Sequence, residues 1–355
     1  MKILIAAGIY PPDAGGPATH ARTQYEGFPR TGVETELVVF AHYRKFPRWI
    51  RHLFFFIALF RKSLKSDVIY AHDAWGVGFP AWFAACLTWN KLVLRIGGDM
   101  AWERHASSNV SMKEWYESGA YKRDKMFKLS RFVLKQADLV VVITPILRDL
   151  YTKYYGVDGR KIQIILNPIP ERRENNVEPQ DSIIFASRLT HYKNLKIVLR
   201  ALAKVFPLHP SLKFVIMGDG PERESLKSEV KSLKLENNVV LTGAVSLEEV
   251  LEKTASCLFT IAPALTEFNP NYVLQGVAYG KPFLISRENG LPFEIPDELL
   301  INPRDEHDIA QKISNLLEKE HYQKALEYVK SIDLKMTWDQ NLAENLAQIK
   351  GIIEK

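Results

Sequence analysis

Thr266-Glu267-Phe268-Asn269-Pro270-Asn271-Tyr272-Val273-Leu274-Gln275-Gly276-Val277-Ala278-Tyr279-Gly280-Lys281-Pro282 reads as a polar loop that becomes a helix and stops at a glycine and a proline. Asn269 is suited to cap that helix, and Pro270 to its first position, where a missing N–H costs nothing. The free amides of the first turn, together with the helix dipole, form a site suited to phosphate. Glu267 stands just ahead of the turn, placed to accept hydrogen bonds from a neutral, hydroxyl-rich group, and Gln275 follows on the same helix. A carboxylate beside a phosphate site implies a ligand carrying both a sugar and a diphosphate.

Outward from this stretch, short apolar runs alternate with helical patterns, the signature of βαβ units and parallel sheets. In the first half the expected strands are Lys2–Ala6, Glu34–Phe40, Val68–Ala71, Leu92–Ile96, Leu139–Thr144 and Ile162–Leu166. The second half restarts with Ser182–Ser187, Phe214–Met217, Val239–Thr242, Leu258–Ile261, Pro282–Ile285 and Leu299–Ile301. Runs such as Leu139-Val140-Val141-Val142-Ile143 are apolar at every position, as strands buried on both faces are. Between the halves, Asn167-Pro168-Ile169-Pro170-Glu171-Arg172-Arg173-Glu174-Asn175-Asn176 breaks the pattern with prolines and charge and is read as a linker. The fold class is therefore α/β, two Rossmann-like domains with parallel sheets facing across a cleft, over residues 1–168 and 171–337.

The 355 residues suffice for two such domains, and 46% hydrophobic with 25% charged residues is the balance of a globular protein. Two cysteines, Cys86 and Cys257, sit in apolar segments and are expected as small buried hydrophobes of a reduced compartment. The start, Met1-Lys2-Ile3-Leu4-Ile5-Ala6-Ala7, reads as a first strand rather than a signal peptide, and Leu53–Phe60 is too short to span a bilayer. A cytoplasmic location is expected, and peripheral attachment to the inner face of the membrane is left open by the charge pattern. Arg44, Lys45, Arg48, Arg51, Arg61, Lys62 and Lys65 flank the apolar Trp49-Ile50 and Leu53–Ile57 with no acid among them. Lys122, Arg123, Lys125, Lys128, Arg131 and Lys135 repeat the theme against a single Asp124. Two readings stand for this charge: solvated faces of helices covering a sheet, or a surface for anionic lipid head groups. No recognition-helix or RNA-binding motif accompanies it, so nucleic acid is not an expected partner.

The arrangement of Glu267 and Gln275 resembles the Glu-x7-Glu signature of the retaining GT-B glycosyltransferases, glycosyltransferase family 4 in particular. Phe185-Ala186-Ser187-Arg188-Leu189-Thr190-His191-Tyr192-Lys193-Asn194 resembles the family's strand-end Arg…Lys motif. Val215-Ile216-Met217-Gly218-Asp219-Gly220-Pro221 resembles its Gly-x-Gly-Pro turn, and Tyr10-Pro11-Pro12-Asp13-Ala14-Gly15-Gly16-Pro17 its N-terminal glycine loop. The four motifs keep the family's order over nearly the whole chain. The resemblance implies a final helix, about 338–355, that returns to the first domain. It also implies a retaining, metal-independent transfer from a nucleotide-diphosphate sugar to a hydroxyl of a glycan or lipid-linked acceptor.

On that resemblance the donor is held by Arg188, Lys193, Gly218, Glu267, Asn269, Asn271, Tyr272 and Gln275 of the second domain and by Gly15 and Gly16 of the first. Arg188 and Lys193 follow an apolar strand, where open α/β sheets bind ligands, and two cations there stabilise a departing diphosphate. Glu267 would contact the donor sugar's hydroxyls; with Arg188, Lys193 and Asp99 it forms the expected catalytic set. His20, His72 and Asp99 are expected on the acceptor side. Two departures stand out: Gln275 replaces the family's usual second Glu, and Gly98 stands near a position where many relatives carry His. No Asp-x-Asp occurs, and the nine histidines lack metal-ligand spacing, so no metal and no cofactor beyond the sugar nucleotide is expected. The alternative readings are a degenerate GT-B scaffold or binding subunit, or another GT-B sugar-nucleotide enzyme.

Overall fold

A computed structural model describes residues 1–13, 15–105, 110–168, 170–174, 177–333 and 336–354, apart from the side chains of Arg48 and Trp49. Ala14 of the glycine loop, Ile169, Asn175 and Asn176 of the linker and the two side chains of the basic segment thus lie outside the described residues. The chain divides into two compact units. One comprises Met1–Trp102, Tyr116–Pro168 and Met336–Lys355; the other comprises Glu103–Trp115 and Ile169–Lys335. Residues 103–115, assigned with the first domain on sequence, therefore pack with the second unit. Nothing in their local composition signals that exchange; the contacts that anchor them are far away in sequence.

The first unit is built on a six-stranded parallel sheet in the order β2-β1-β3-β4-β5-β6. Its strands are β1 (Lys2–Ala7), β2 (Glu34–Val39), β3 (Val68–Ala71), β4 (Lys91–Ile96), β5 (Leu139–Val142) and β6 (Ile162–Ile164). The second unit repeats the plan in the order β12-β11-β10-β7-β8-β9. Here the strands are β7 (Ser182–Ala186), β8 (Lys213–Met217), β9 (Val239–Gly243), β10 (Phe259–Ala262), β11 (Phe283–Ser286) and β12 (Leu300–Ile301). All twelve runs read as strands on sequence are strands, with ends shifted by a residue or two. Apolar side chains on both faces, Ile3, Leu4 and Ile5 of β1 among them, are fully buried, which is why the runs lack alternation.

Strand order reverses between β1 and β3 in the first sheet and between β7 and β10 in the second. In open α/β sheets ligands bind at the carboxyl ends of the strands flanking such a reversal. Helix α1 (Gly16–Gly27) follows β1, and the last helix, α14 (Trp338–Ile353), packs on α1, β4 and β5. Leu342, Leu346 and Ile349 of α14 join Ile3, Ile5, Tyr70, Val93 and Val141 in one core. Thr337 and Gln340 start α14 with a reciprocal capping box. Cys257 is buried as expected, its thiol pushed up to about 12 by desolvation. Cys86 is exposed instead, on the outward side of α3 (Gly78–Thr88). No helix among the described residues is long and apolar enough to cross a membrane.

Candidate active site

The reversal in the second sheet gathers the strongest chemistry. Past β7 the chain runs through Arg188 into a single 3-10 turn, His191–Lys193; past β10 it reaches Glu267. The Lys193 ammonium lies 2.6 Å from Oε2 of Glu267, and the two residues are only 7% and 6% exposed. Burial alone would lower the ammonium's pKa, but the opposed Glu267 carboxylate, helped by Tyr192, outweighs it and holds Lys193 above its usual value. Backbone bonds clamp the carboxylate's own residue: Glu267 N–H donates to the Glu288 carbonyl at 2.9 Å and Gly290 N–H to the Glu267 carbonyl at 2.8 Å. Arg188, by contrast, is exposed, and no ion pair to it occurs among the described residues.

The Gly218-Asp219-Gly220 turn fixes the loop that carries Arg188. Leu189 N–H donates to the Asp219 carbonyl at 2.9 Å, and Ser187 N–H to that of Met217 at 3.0 Å. Gly218 adopts φ +137°, and a Cβ there would stand 2.0 Å from the Ser187 carbonyl oxygen. Its place in the motif therefore has a packing reason: two strand-end loops meet backbone to backbone.

Helix α11 (Asn271–Ala278) starts one residue later than the sequence suggests. Pro270, not Asn269, is the capping residue, and no side chain caps the helix; the Asn269 amide donates to Asn271 Oδ1 at 2.7 Å. Val273 and Leu274 N–H both bond to the Pro270 carbonyl, so Asn271 and Tyr272 carry the first-turn amides that helical geometry leaves over. The Tyr272 side chain is not a donor-binding group. It is buried, and its hydroxyl donates to the Ile261 carbonyl at 2.7 Å. Any contact from this residue to a ligand comes from its backbone. Gln275 is half-buried on the same short helix.

Further contacts, made between residues far apart in the chain, frame Glu267 without any signal in the sequence. Thr266 Oγ1 accepts from Met112 N–H at 2.9 Å and donates to Glu288 at 2.6 Å, and Glu288 also accepts from Lys113 N–H at 3.2 Å. A bidentate pair of Arg304 with Glu114 ties the same segment down. Partners 154 and 175 residues apart leave no local pattern to read.

In the first unit, the Asp99 carboxylate is taken up by donors of its own unit. The carboxylate is 1% exposed, caps α4 (Met100–His105) through Ala101 N–H at 2.9 Å, and accepts from the hydroxyls of Tyr116 and Tyr155. Desolvation raises its pKa against those hydrogen bonds. The catalytic and acceptor roles expected of Asp99 are thus corrected to a structural one. Asp73, beside His72, is likewise spent on the amides of Trp75 and Val77. Gly15 caps α1 at φ +129°; Ala18 and Thr19 bond back to its carbonyl and Pro17 has no N–H, leaving the Gly16 amide as the donor of that turn. His20 is buried against Trp338, ring centroids 4.8 Å apart, and His72 follows β3 directly.

Two six-stranded parallel sheets of this topology form the GT-B architecture. A computed superposition on sucrose-phosphate synthase from Thermosynechococcus elongatus agrees, with a TM-score of 0.77 at 16% identity over 99% of each chain. The family assignment follows from two sequence models: glycosyltransferase family 4 matches residues 9–173 and glycosyl transferases group 1 matches residues 169–331. The chain belongs to this glycosyltransferase family. It is 23% identical to an uncharacterized glycosyltransferase of Methanocaldococcus jannaschii over 99% of this chain and 98% of that one. With the alpha-monoglucosyldiacylglycerol synthase of Streptococcus pneumoniae it shares 27% identity over 55% of this chain and 48% of the other. The chain spans less than half the length of several curated relatives that it matches.

Proposed function

We propose that this glycosyltransferase is retaining and metal-independent, and that it moves a sugar from a nucleotide diphosphate to a hydroxyl of a lipid-linked or free glycan. The observation that carries the reading is the buried Lys193–Glu267 pair beside an exposed, uncommitted Arg188 at the second sheet's reversal. Glu267 accepts hydrogen bonds from the sugar hydroxyls, while Lys193 fixes that carboxylate and neutralises it. Arg188, with its planar fork, and the amides of Asn271 and Tyr272 meet the diphosphate as it leaves. No side chain serves as nucleophile. The bond from the anomeric carbon to the diphosphate oxygen breaks while the acceptor oxygen bonds to the same face. The acceptor's hydroxyl proton ends on the departing diphosphate. Gln275 keeps an acceptor oxygen for the ribose hydroxyls without the charge of Glu.

The lipid-linked acceptor and peripheral attachment draw support from the face formed by α2 (Arg48–Ser63) and α3. Leu53, Phe83 and Leu87 are half or nearly half exposed there, and Trp89, just past α3, is 94% exposed. Exposed Lys65 and Arg61 lie at the end of the same helix pair. Apolar side chains amid cations suit an anionic bilayer surface, and the streptococcal relative's name denotes a diacylglycerol glycolipid synthase.

Calorimetric titration with UDP, GDP, ADP and their sugars in EDTA tests the donor site. One nucleotide should bind wild type and be lost in Arg188→Ala; binding that requires added divalent ions overturns metal independence, and no binding at all overturns the site. The anomeric configuration of the product, read by NMR, tests retention. Co-sedimentation with phosphatidylglycerol vesicles, set against phosphatidylcholine vesicles and against a Leu53→Glu/Trp89→Ala variant, tests the membrane face.

A further inference from the structure

At the reversal of the first sheet, buried positive charge stands without a counter-charge. Arg95 is the penultimate residue of β4 and only 5% exposed. His72 is the first residue past β3, one step beyond the paired Ala71 and Leu94, and so adjoins Arg95 across the ladder. Tyr70 and Val93 face the core under α14; by strand alternation, His72 and Arg95 share that face. His20 reaches the same place from α1, close enough that Arg95 and His72 both act on its ring.

The hydrogen bonding of this trio is incomplete. Arg95 Nη2 donates to Asn167 Oδ1 at 2.5 Å, and no carboxylate pairs with the guanidinium among the described residues. Nδ1 of His20 and both ring nitrogens of His72 are shut off from solvent with no partner. The neighbouring Asp73 has turned its carboxylate into backbone amides, and Tyr70 gives its hydroxyl to Asn345. Desolvation, then the Arg95 charge, lowers the His72 pKa to about 3 and pushes that of His20 well below its usual value, so both rings are neutral at pH 7. Neutral imidazole offers one donor and one acceptor; guanidinium offers five donors and does not deprotonate. An unpaired buried ion is a severe cost, and unpaired buried ring nitrogens add to it.

We propose that Arg95, His72 and His20 form an oxyanion site that takes the phosphate or carboxylate of an acidic acceptor. Its acceptor role rests on the transferase reading above; oxyanion binding itself does not. The site supplies N–H donors from Arg95 and from the imidazoles, whose tautomers turn to suit the ligand, and the guanidinium charge is matched only when the anion is present. Its residues belong to the first unit, and Arg188, Lys193 and Glu267 to the other.

The test is calorimetric titration of the full chain with inorganic phosphate, pyrophosphate and acetate, on wild type, Arg188→Ala, Arg95→Gln and His72→Asn. One saturable site should survive Arg188→Ala and weaken by about tenfold or more in Arg95→Gln, the loss expected for a charged hydrogen bond. The stronger of phosphate and acetate names the acidic group. If Arg95→Gln loses the native circular dichroism spectrum, His72→Asn decides by the same criterion. The proposal is overturned if no probe saturates, if the surviving site ignores the decisive variant, or if the donor nucleotide displaces the probe. Nucleotide binding abolished by Arg188→Ala is read separately, so a failed oxyanion site leaves the donor site standing and the reverse also holds.

Discussion

The carboxyl ends of the two sheets hold their buried charge in opposite ways. In the second unit the Lys193 ammonium and the Glu267 carboxylate face each other at 2.6 Å, and the pair is neutral before any ligand arrives. In the first unit Arg95 has an asparagine for its partner and two proton-poor histidines for neighbours. A closed pair can hold a neutral sugar in place without attracting ions to itself, which leaves the exposed Arg188 available to an anion. An open cation calls for an anion. On the two proposals made above, the same topology yields a site for hydroxyls in one half and a site for an acid in the other.

The sharpest way to break the comparison is to remove one member of the closed pair. Glu267→Ala leaves a buried ammonium alone, and chemical denaturation should show a loss of ~3–5 kcal/mol, with transfer abolished. A stability change under ~1 kcal/mol would mean that water already screens the pair. Next comes Arg188→Ala, which should lower the transfer rate about a hundred- to a thousandfold while the denaturation midpoint stays put, because the side chain is exposed. The opposite sign is expected in the first unit. Arg95→Met removes an uncompensated charge and should leave the ligand-free protein as stable as wild type or up to ~1 kcal/mol more so. A loss comparable with that of Glu267→Ala would make Arg95 a strut for Asn167.

A pH series sharpens the same contrast. His72 has a folded pKa of about 3 against the ordinary 6.5, so the native state favours the neutral ring. Stability from this group is complete above pH 6.5 and is lost as pH falls from 6.5 toward 3, with a limiting slope of about 1.4 kcal/mol per pH unit. His72→Asn should flatten that slope, read from denaturation midpoints between those limits. The smallest effect is expected at Gln275→Glu. Restoring the charge on a half-buried helix position should change nucleotide affinity by no more than about tenfold, equivalent to ~1.4 kcal/mol.

Most of the architecture was legible because it is written in local patterns. Strands buried on both faces, such as β5, appear as unbroken apolar runs, and the others, such as β2 with Glu34 and Glu36, as short apolar stretches between helical patterns; all twelve were read, with ends displaced by a residue or two where hydrogen bonding rather than burial decides termination. The loop-to-helix stretch around Glu267 was legible too, although the cap fell on Pro270 and Tyr272 turned into the core. Asp99 was misread because a polar residue after a strand looks alike whether it faces a ligand or two tyrosines brought from positions 116 and 155. The basic run near residue 50 has no acid in its own sequence, yet Arg44 pairs with Asp13 at 2.9 Å and Lys62 with Glu36 at 3.3 Å.

By itself the sequence determined the α/β class, the strand inventory and the motif set of a family of glycosyltransferases. Each of these depends on residues close together in the chain, where periodicity and turn chemistry operate. Only the tertiary structure decided which charges are matched: Lys193 with Glu267 across 74 positions, Asp99 with its tyrosines, Arg95 with no acid among the described residues. Electrostatic balance in a buried site is set by groups within a few ångströms, and those neighbours are chosen by how the sheets order their strands, not by adjacency in the chain.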